Sequence, residues 1–227
     1  MMLLPEGARE WAWWVGTIAV LNVIYGAFSA MAQKDLKYII AYSSVSHMGI
    51  VLLGAATLTL NGWNGAIYQM VAHGVMTGLF FALVGLVYER AHDRYIPGMG
   101  GFVRKMPMVT AFFTLAALSS LGLPGTAGFV AEWLVFVGAF QSASPWWTYP
   151  ALAGAFITAV YVLLGVRTIF YGEGPPERFT DLEDAEGSER VALWLLGGCI
   201  VLLGTAPGLL MVFIDPTTAQ YLPMVLP

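Results

Sequence analysis

Polar and Gly/Pro-bearing stretches divide this chain into long apolar runs at 11–32, 38–60, 65–88, 107–141, 148–170 and 191–214. Each run reaches or exceeds the roughly 20 residues that carry a helix across the hydrocarbon core of a bilayer. Between them lie the charged turn 33–37, the uncharged turns 61–64 and 142–147, and the longer polar segments 89–106 and 171–190. The pattern predicts an all-α polytopic transmembrane helix bundle of six crossings, forming a single membrane domain over 1–227.

The run at 107–141 is far longer than one crossing requires, and its middle reads Gly122-Leu123-Pro124-Gly125-Thr126-Ala127-Gly128. A proline without an N–H and three glycines (Gly122, Gly125 and Gly128 around Pro124) make continuous helix unfavourable. Two half-helices joined near mid-membrane are expected. Irregular backbone at that depth survives where protein or a water-filled cavity satisfies its freed polar groups, and it recurs at ion sites in transporters. Glu132 follows one helical turn later as the only charge in the run. A lone ionised carboxylate in hydrocarbon is costly, so a functional role is the default reading.

Two neighbouring runs add polar groups at similar depth. His47 lies about mid-span with Ser43 one turn earlier on the same face; it admits both structural hydrogen bonding and proton handling. Gln69, His73 and Thr77 recur at i, i+4 and i+8, one stripe on an otherwise apolar helix, which should face the bundle interior. An imidazole, with a reference pKa near 6.5, suits proton exchange, so His73 is read as a relay group and Gln69 and Thr77 as a polar seam. Lys34 and Lys37 read first as snorkelling interfacial lysines, with contact to an entering proton as the second reading. His92, among charges and glycines, reads as a solvated surface residue. The first run, with its outer tryptophans and small residues Gly26, Ala27, Ser29 and Ala30, reads as an anchored packing helix, and the last as packing alone. Arg167 reads as an interfacial anchor, and the acidic loop 171–190 as exposed and solvated.

Composition sharpens the class: 58% of 227 residues are hydrophobic and 11% charged, with mean hydropathy +0.73, which marks an integral membrane protein. A net charge of −4 argues against a nucleic-acid partner, and the single Cys199 excludes a disulfide framework or a cysteine cluster site. The first residues lack the basic n-region of a cleavable signal peptide. Of the 10 basic residues, Lys34, Lys37, Arg90, Arg94, Arg104, Lys105, Arg167, Arg178 and Arg190 fall on one side of a six-crossing topology and only Arg9 on the other. That asymmetry predicts a cytoplasmic charged side and both termini outside.

No phosphate loop, zinc spacing, nucleophile elbow or dinucleotide fingerprint occurs, and no cysteine set for an iron–sulfur cluster. No cofactor is expected, and redox chemistry should lie in other chains. The titratable set His47, His73 and Glu132, at matching depth in different runs, points to proton transfer. Two rivals remain at this point: a haem held by His47 and His73, which leaves Glu132 unexplained, and a non-transporting scaffold whose polar residues only fix helix packing.

The runs AQKDLKYIIAYSSVSHMG (32–49), YQMVAHGVMTGLFF (68–81), PGMGGFVRKMP (97–107) and LGLPGTAGFVAEWLVFVGAFQ (121–141) resemble the antiporter-like membrane subunits of proton-pumping NADH:quinone oxidoreductase, respiratory complex I, of the chain M type. The resemblance implies two inverted five-helix repeats, each with a broken helix; 11–171 looks like the second repeat and 191–214 like an additional C-terminal helix. It further implies that Glu132 is the carboxylate of the second broken helix, His73 the histidine of the central hydrophilic axis and His47 that of the preceding helix. The partners it implies are other membrane subunits of the assembly within the lipid bilayer, and the location it implies is the bacterial inner membrane. Glu132, Gln69 and Thr77 stand where the related larger subunit has lysine, histidine and lysine, which separates the two types. Family members run to about twice this length, and the first repeat is absent here. The chain is therefore expected to hold an outer half-channel only, as one piece of a split gene, a truncated reading frame or a remnant, with a separate chain supplying the missing half. Equivalent subunits of membrane-bound hydrogenases and multisubunit sodium/proton antiporters are the alternatives.

Overall fold

A computed structural model describes residues 5–172, 179 and 182–225; Arg178 lies outside them. The described residues form eight α-helices: α1 (Pro5–Met31), α2 (Leu36–Ala56), α3 (Leu60–Ala91), α4 (Pro107–Ser120), α5 (Ala127–Gln141), α6 (Thr148–Phe170), α7 (Gly187–Thr205) and α8 (Gly208–Tyr221). No strand occurs among them. Five helices are long and apolar enough to cross a membrane: α1, α2, α3, α6 with its preceding turn, and α7. The apolar helices α4 and α5 are each too short to do so alone.

Local chemistry explains the boundaries. The Asp35 carboxylate accepts the Lys37 N–H at 2.9 Å and starts α2. Thr59 starts α3 by accepting the Gly62 N–H at 3.1 Å. Because that cap acts so soon after α2 ends, residues 61–64, read from the sequence as a turn, belong to the first turn of α3. His92 ends α3 in the left-handed region, at φ 49°, and is exposed, as its charged setting suggested.

The predicted run 191–214 is not one helix. Ala206 leaves helical geometry at φ −125° and ψ 61°, and Pro207, with no N–H to donate, stands between α7 and α8. Asp215, just beyond the predicted run, sits on α8 and accepts from the buried Asn64 side chain of α3, to which Thr218 donates in turn. The last helices thus make a polar contact as well as apolar packing.

Within a bilayer, lipid tails compete with apolar side chains, so close approach and polar contacts decide how helices associate. α1 and α2 illustrate this. Ser46 Oγ donates to the Val23 carbonyl at 2.9 Å and Asn22 Nδ2 to the Val45 carbonyl at 2.9 Å. A Cβ on Gly26 would stand 2.5 Å from the Ser46 nitrogen, an approach only glycine permits.

At the charged end, the acidic loop does more than meet solvent. Arg90 Nη2 donates to Glu189 Oε2 at 2.7 Å, while Phe179, Leu182 and Ala185 are buried; beside it, Arg94 Nε donates to Asp35 Oδ2 of the charged turn at 2.7 Å. Pro107 opens α4 without an N–H, so Met108 and Val109 present its first unpaired donors; Asp184 accepts both, at 2.7 and 3.1 Å. Asp184→Ala is expected to lower stability by about 1–2 kcal/mol, read as a lower thermal midpoint of the detergent-solubilised protein. Asp184→Asn, which keeps one carbonyl acceptor, should lose less.

Candidate functional site

Residues 121–126 between α4 and α5 form a turn in which Gly122 and Gly125 take φ of +71° and +93°, values at which L side chains are strained. The turn satisfies several of its own donors: Leu123 N–H reaches the Leu118 carbonyl at 3.0 Å and Gly122 N–H the Ser119 carbonyl at 3.2 Å. The Ser119 and Ser120 hydroxyls, buried beside it, have no hydrogen-bond partner. The ends of the two helices touch here, since a Cβ on Gly128 would stand 2.0 Å from the Ser119 carbonyl oxygen.

Glu132 projects from the second turn of α5 and is only 7% exposed. Its Oε1 lies 3.6 Å from His47 Nε2 on α2, inside ion-pair range but longer than a hydrogen bond. The same His47 nitrogen lies 3.1 Å from the Ser120 carbonyl, and Nδ1 lies 2.8 Å from the Ser43 carbonyl. Both ring nitrogens therefore face acceptors. A neutral imidazole owns one N–H and so donates to one carbonyl at a time; only a doubly protonated ring would donate to both. The His73 ring on α3 lies tilted against that of His47, with centroids 5.2 Å apart and planes at 31°. Thr77 Oγ1 lies 3.1 Å from His73 Nε2.

The structure thus brings His47, His73 and Glu132 together from three helices, with Gly122 against the carboxylate: a Cβ at that glycine would stand 2.8 Å from Glu132 Oε2. Gln69 and His73 are buried and Thr77 partly so, which turns the polar stripe inward. Lys34 and Lys37 are not part of the cluster. Both are exposed at the charged end, and ten residues of helix put Lys37 about 15 Å along the axis from His47. His47 has already engaged both ring nitrogens with main-chain carbonyls, so the pair does not fit a haem.

A cleft of about 290 Å³ between α5 and α6 has Glu132 in its wall, together with Gly122, Phe129, Trp133 and Phe156. A larger one of about 590 Å³ lies at the end opposite the charged turns, where Thr57, Thr59, Ser142 and Ser144 bring hydroxyls and Arg9 a guanidinium. Sequence reasoning missed the Ser120 carbonyl as a partner of His47. A main-chain group carries no residue-type signal, although its place at the end of a helix that must break leaves it without an intrahelical donor.

Comparison with known proteins gives a consistent answer. Residues 1–158 match the family described as NADH:quinone oxidoreductase/Mrp antiporter, TM. NADH-quinone oxidoreductase subunit M of Rhodobacter capsulatus is 36% identical over 218 residues, covering 96% of this chain and 42% of the relative. NAD(P)H-quinone oxidoreductase chain 4 1 of Trichormus variabilis is 39% identical over 226 residues, covering 96% and 43%. A chain of respiratory complex I from Thermus thermophilus with bound NADH superposes with a TM-score of 0.92 at 31% identity, covering 98% of this chain and 47% of that one. The chain spans less than half the length of the curated relatives it matches. An all-helical bundle that encloses a carboxylate and two histidines, matched over most of its length by these proteins, belongs to the NADH:quinone oxidoreductase/Mrp antiporter transmembrane family.

Proposed function

We propose that this chain is a proton-translocating membrane subunit of a complex I-type NADH:quinone oxidoreductase and contributes a half-channel opening to the outer side. In this reading α4 and α5 make one crossing as a broken helix, giving six crossings in a bacterial inner membrane with both termini outside. Helices α1–α6 form the second inverted repeat, with α7 and α8 added to it. NADH and quinone chemistry belong to partner subunits, and a separate chain or further sequence supplies the first repeat.

The observation that carries the reading is the contact between Glu132 and His47 beside the unwound turn. A proton leaving His47 Nε2 breaks its N–H bond and forms an O–H bond on Glu132, neutralising both groups. The 3.6 Å gap exceeds a hydrogen bond, so transfer requires a small approach or one bridging water. Neutral His47 then turns a lone pair toward a carbonyl, an unfavourable contact that favours reprotonation from the side of the adjoining His73 ring. Glu132 exchanges with the outer side, and coupling comes from a change elsewhere in the assembly that alters its electrostatic surroundings.

Replacing either member of the pair tests this. His47→Gln keeps a hydrogen-bond donor but does not titrate, and is expected to lower NADH-driven proton translocation by roughly tenfold or more, while NADH oxidation by a soluble electron acceptor stays at the native rate. An unchanged ratio of protons moved per NADH in both His47→Gln and Glu132→Gln would refute the reading.

A further inference from the structure

Helix α7 reads from its sequence as packing alone, and of its residues Leu193, Gly197 and Ile200 are buried. Two of its contacts fall on the broken segment. A Cβ on Gly197 would stand 2.5 Å from the Phe112 ring of α4, and one on Gly204 would stand 2.3 Å from the Gly125 carbonyl oxygen and 2.4 Å from the Thr126 Cα. The last turn of α7 therefore lies in backbone contact with the unwound turn, an approach that glycine permits.

A hydrogen bond from another helix holds that end of α7. Ala206 N–H reaches the Leu202 carbonyl at 2.8 Å, but the next donor along the ladder would be residue 207, and Pro207 has no N–H. The Leu203 carbonyl is thereby left over. Tyr68 Oη on α3 donates to it at 2.6 Å. Tyr68 is fully buried, and its ring packs with Ala127 and Ala131 of α5. One side chain thus ties α7 to the helix that carries His73 and to the helix that carries Glu132.

We propose that Tyr68 and Gly204 are positioning residues for proton transfer: the phenol holds the end of α7, and Gly204 seats that end on the Gly125–Thr126 backbone, which fixes the turn against Glu132 and His47. The turn sets the surroundings of the pair, because a Cβ on Gly122 would stand 2.8 Å from Glu132 Oε2 and the Ser120 carbonyl lies 3.1 Å from His47 Nε2. Neither positioning residue carries a proton. The brace rests on the proton-translocating function proposed above.

The test uses the intact assembly in native membranes and reads protons moved per NADH oxidised. Tyr68→Phe keeps the ring and removes the donor. Gly204→Ala drives a methyl into the Thr126 backbone, while Gly198→Ala on the same helix meets nothing within 4 Å and serves as the control. A misplacement of about 1 Å costs up to about a hundredfold, so Tyr68→Phe and Gly204→Ala are each expected to lower the ratio by about tenfold, and Gly198→Ala to leave it native. Pro207→Ala supplies the missing N–H and frees Ala206 from the restriction that a following proline imposes. In that background Tyr68→Phe should cost less than about twofold. A phenol acting by packing alone would show no cost in either background, and one that carried protons would show the same cost in both; either pattern overturns the brace, as does a native ratio in assembled Gly204→Ala. Should Gly204→Ala not assemble, the two Tyr68→Phe measurements decide. Glu132→Gln is measured alongside: loss there leaves the function standing whatever becomes of the brace, and native translocation there overturns the function itself.

Discussion

Glu132→Gln in the native subunit of the assembled complex is expected to cut proton translocation by about a hundredfold or more, with the content of assembled complex unchanged. Gln has nearly the same volume as Glu, so the wall formed with Phe129, Trp133 and Gly122 stays filled. It keeps polar atoms toward His47, and it cannot take up or release a proton. The change also removes the counter-charge that a doubly protonated His47 would meet, and both effects act on transfer before they act on packing. Glu132→Asp should fall between native and Gln, since the shorter side chain still titrates but lengthens a gap that is already 3.6 Å. The measurement is the quench of a pH-sensitive dye by NADH-energised vesicles, normalised to NADH oxidised. Equal quench in Glu132→Gln and native vesicles would leave the carboxylate a packing residue.

The second large effect concerns the turn itself. Gly128→Ala places a Cβ 2.0 Å from the Ser119 carbonyl oxygen and 3.1 Å from its carbon. These are backbone atoms at the end of α4, so no rotamer change relieves the clash and the two helix ends must separate. Overpacking a tight core costs about 1–3 kcal/mol and more when the backbone must move. The displaced segment adjoins Ser120, whose carbonyl lies 3.1 Å from His47 Nε2, so translocation should fall even in whatever fraction assembles. Gly74→Ala and Gly78→Ala are matched controls on α3, where a Cβ meets nothing within 4 Å, and they should melt with the native protein. A native thermal midpoint for Gly128→Ala would show that the close approach of the two helix ends is not required.

The outlying parts of the molecule show where sequence patterns stop being informative. Hydropathy located the long helices, but it also joined α7 to α8, because the residues around Pro207 are as apolar as a continuous span. The acidic loop looked like solvated surface, yet Asp184 caps α4 from 75 and 76 residues away. Composition records the charge of such a residue and nothing of the unpaired donors it will meet.

By itself the sequence determined the helical class, the membrane setting, the glycine-proline interruption and the list of titratable groups at bilayer depth. Those follow from residue type, spacing and the backbone limits of proline and glycine, all of which act locally. The tertiary structure alone decided that His47 meets Glu132 and the Ser120 carbonyl, that the two imidazoles lie against each other, and that Lys34 and Lys37 stand apart. These contacts join segments up to 85 residues apart, the separation of His47 and Glu132 in the chain. They depend on how each helix is rotated about its own axis, which the packing of all its neighbours sets together.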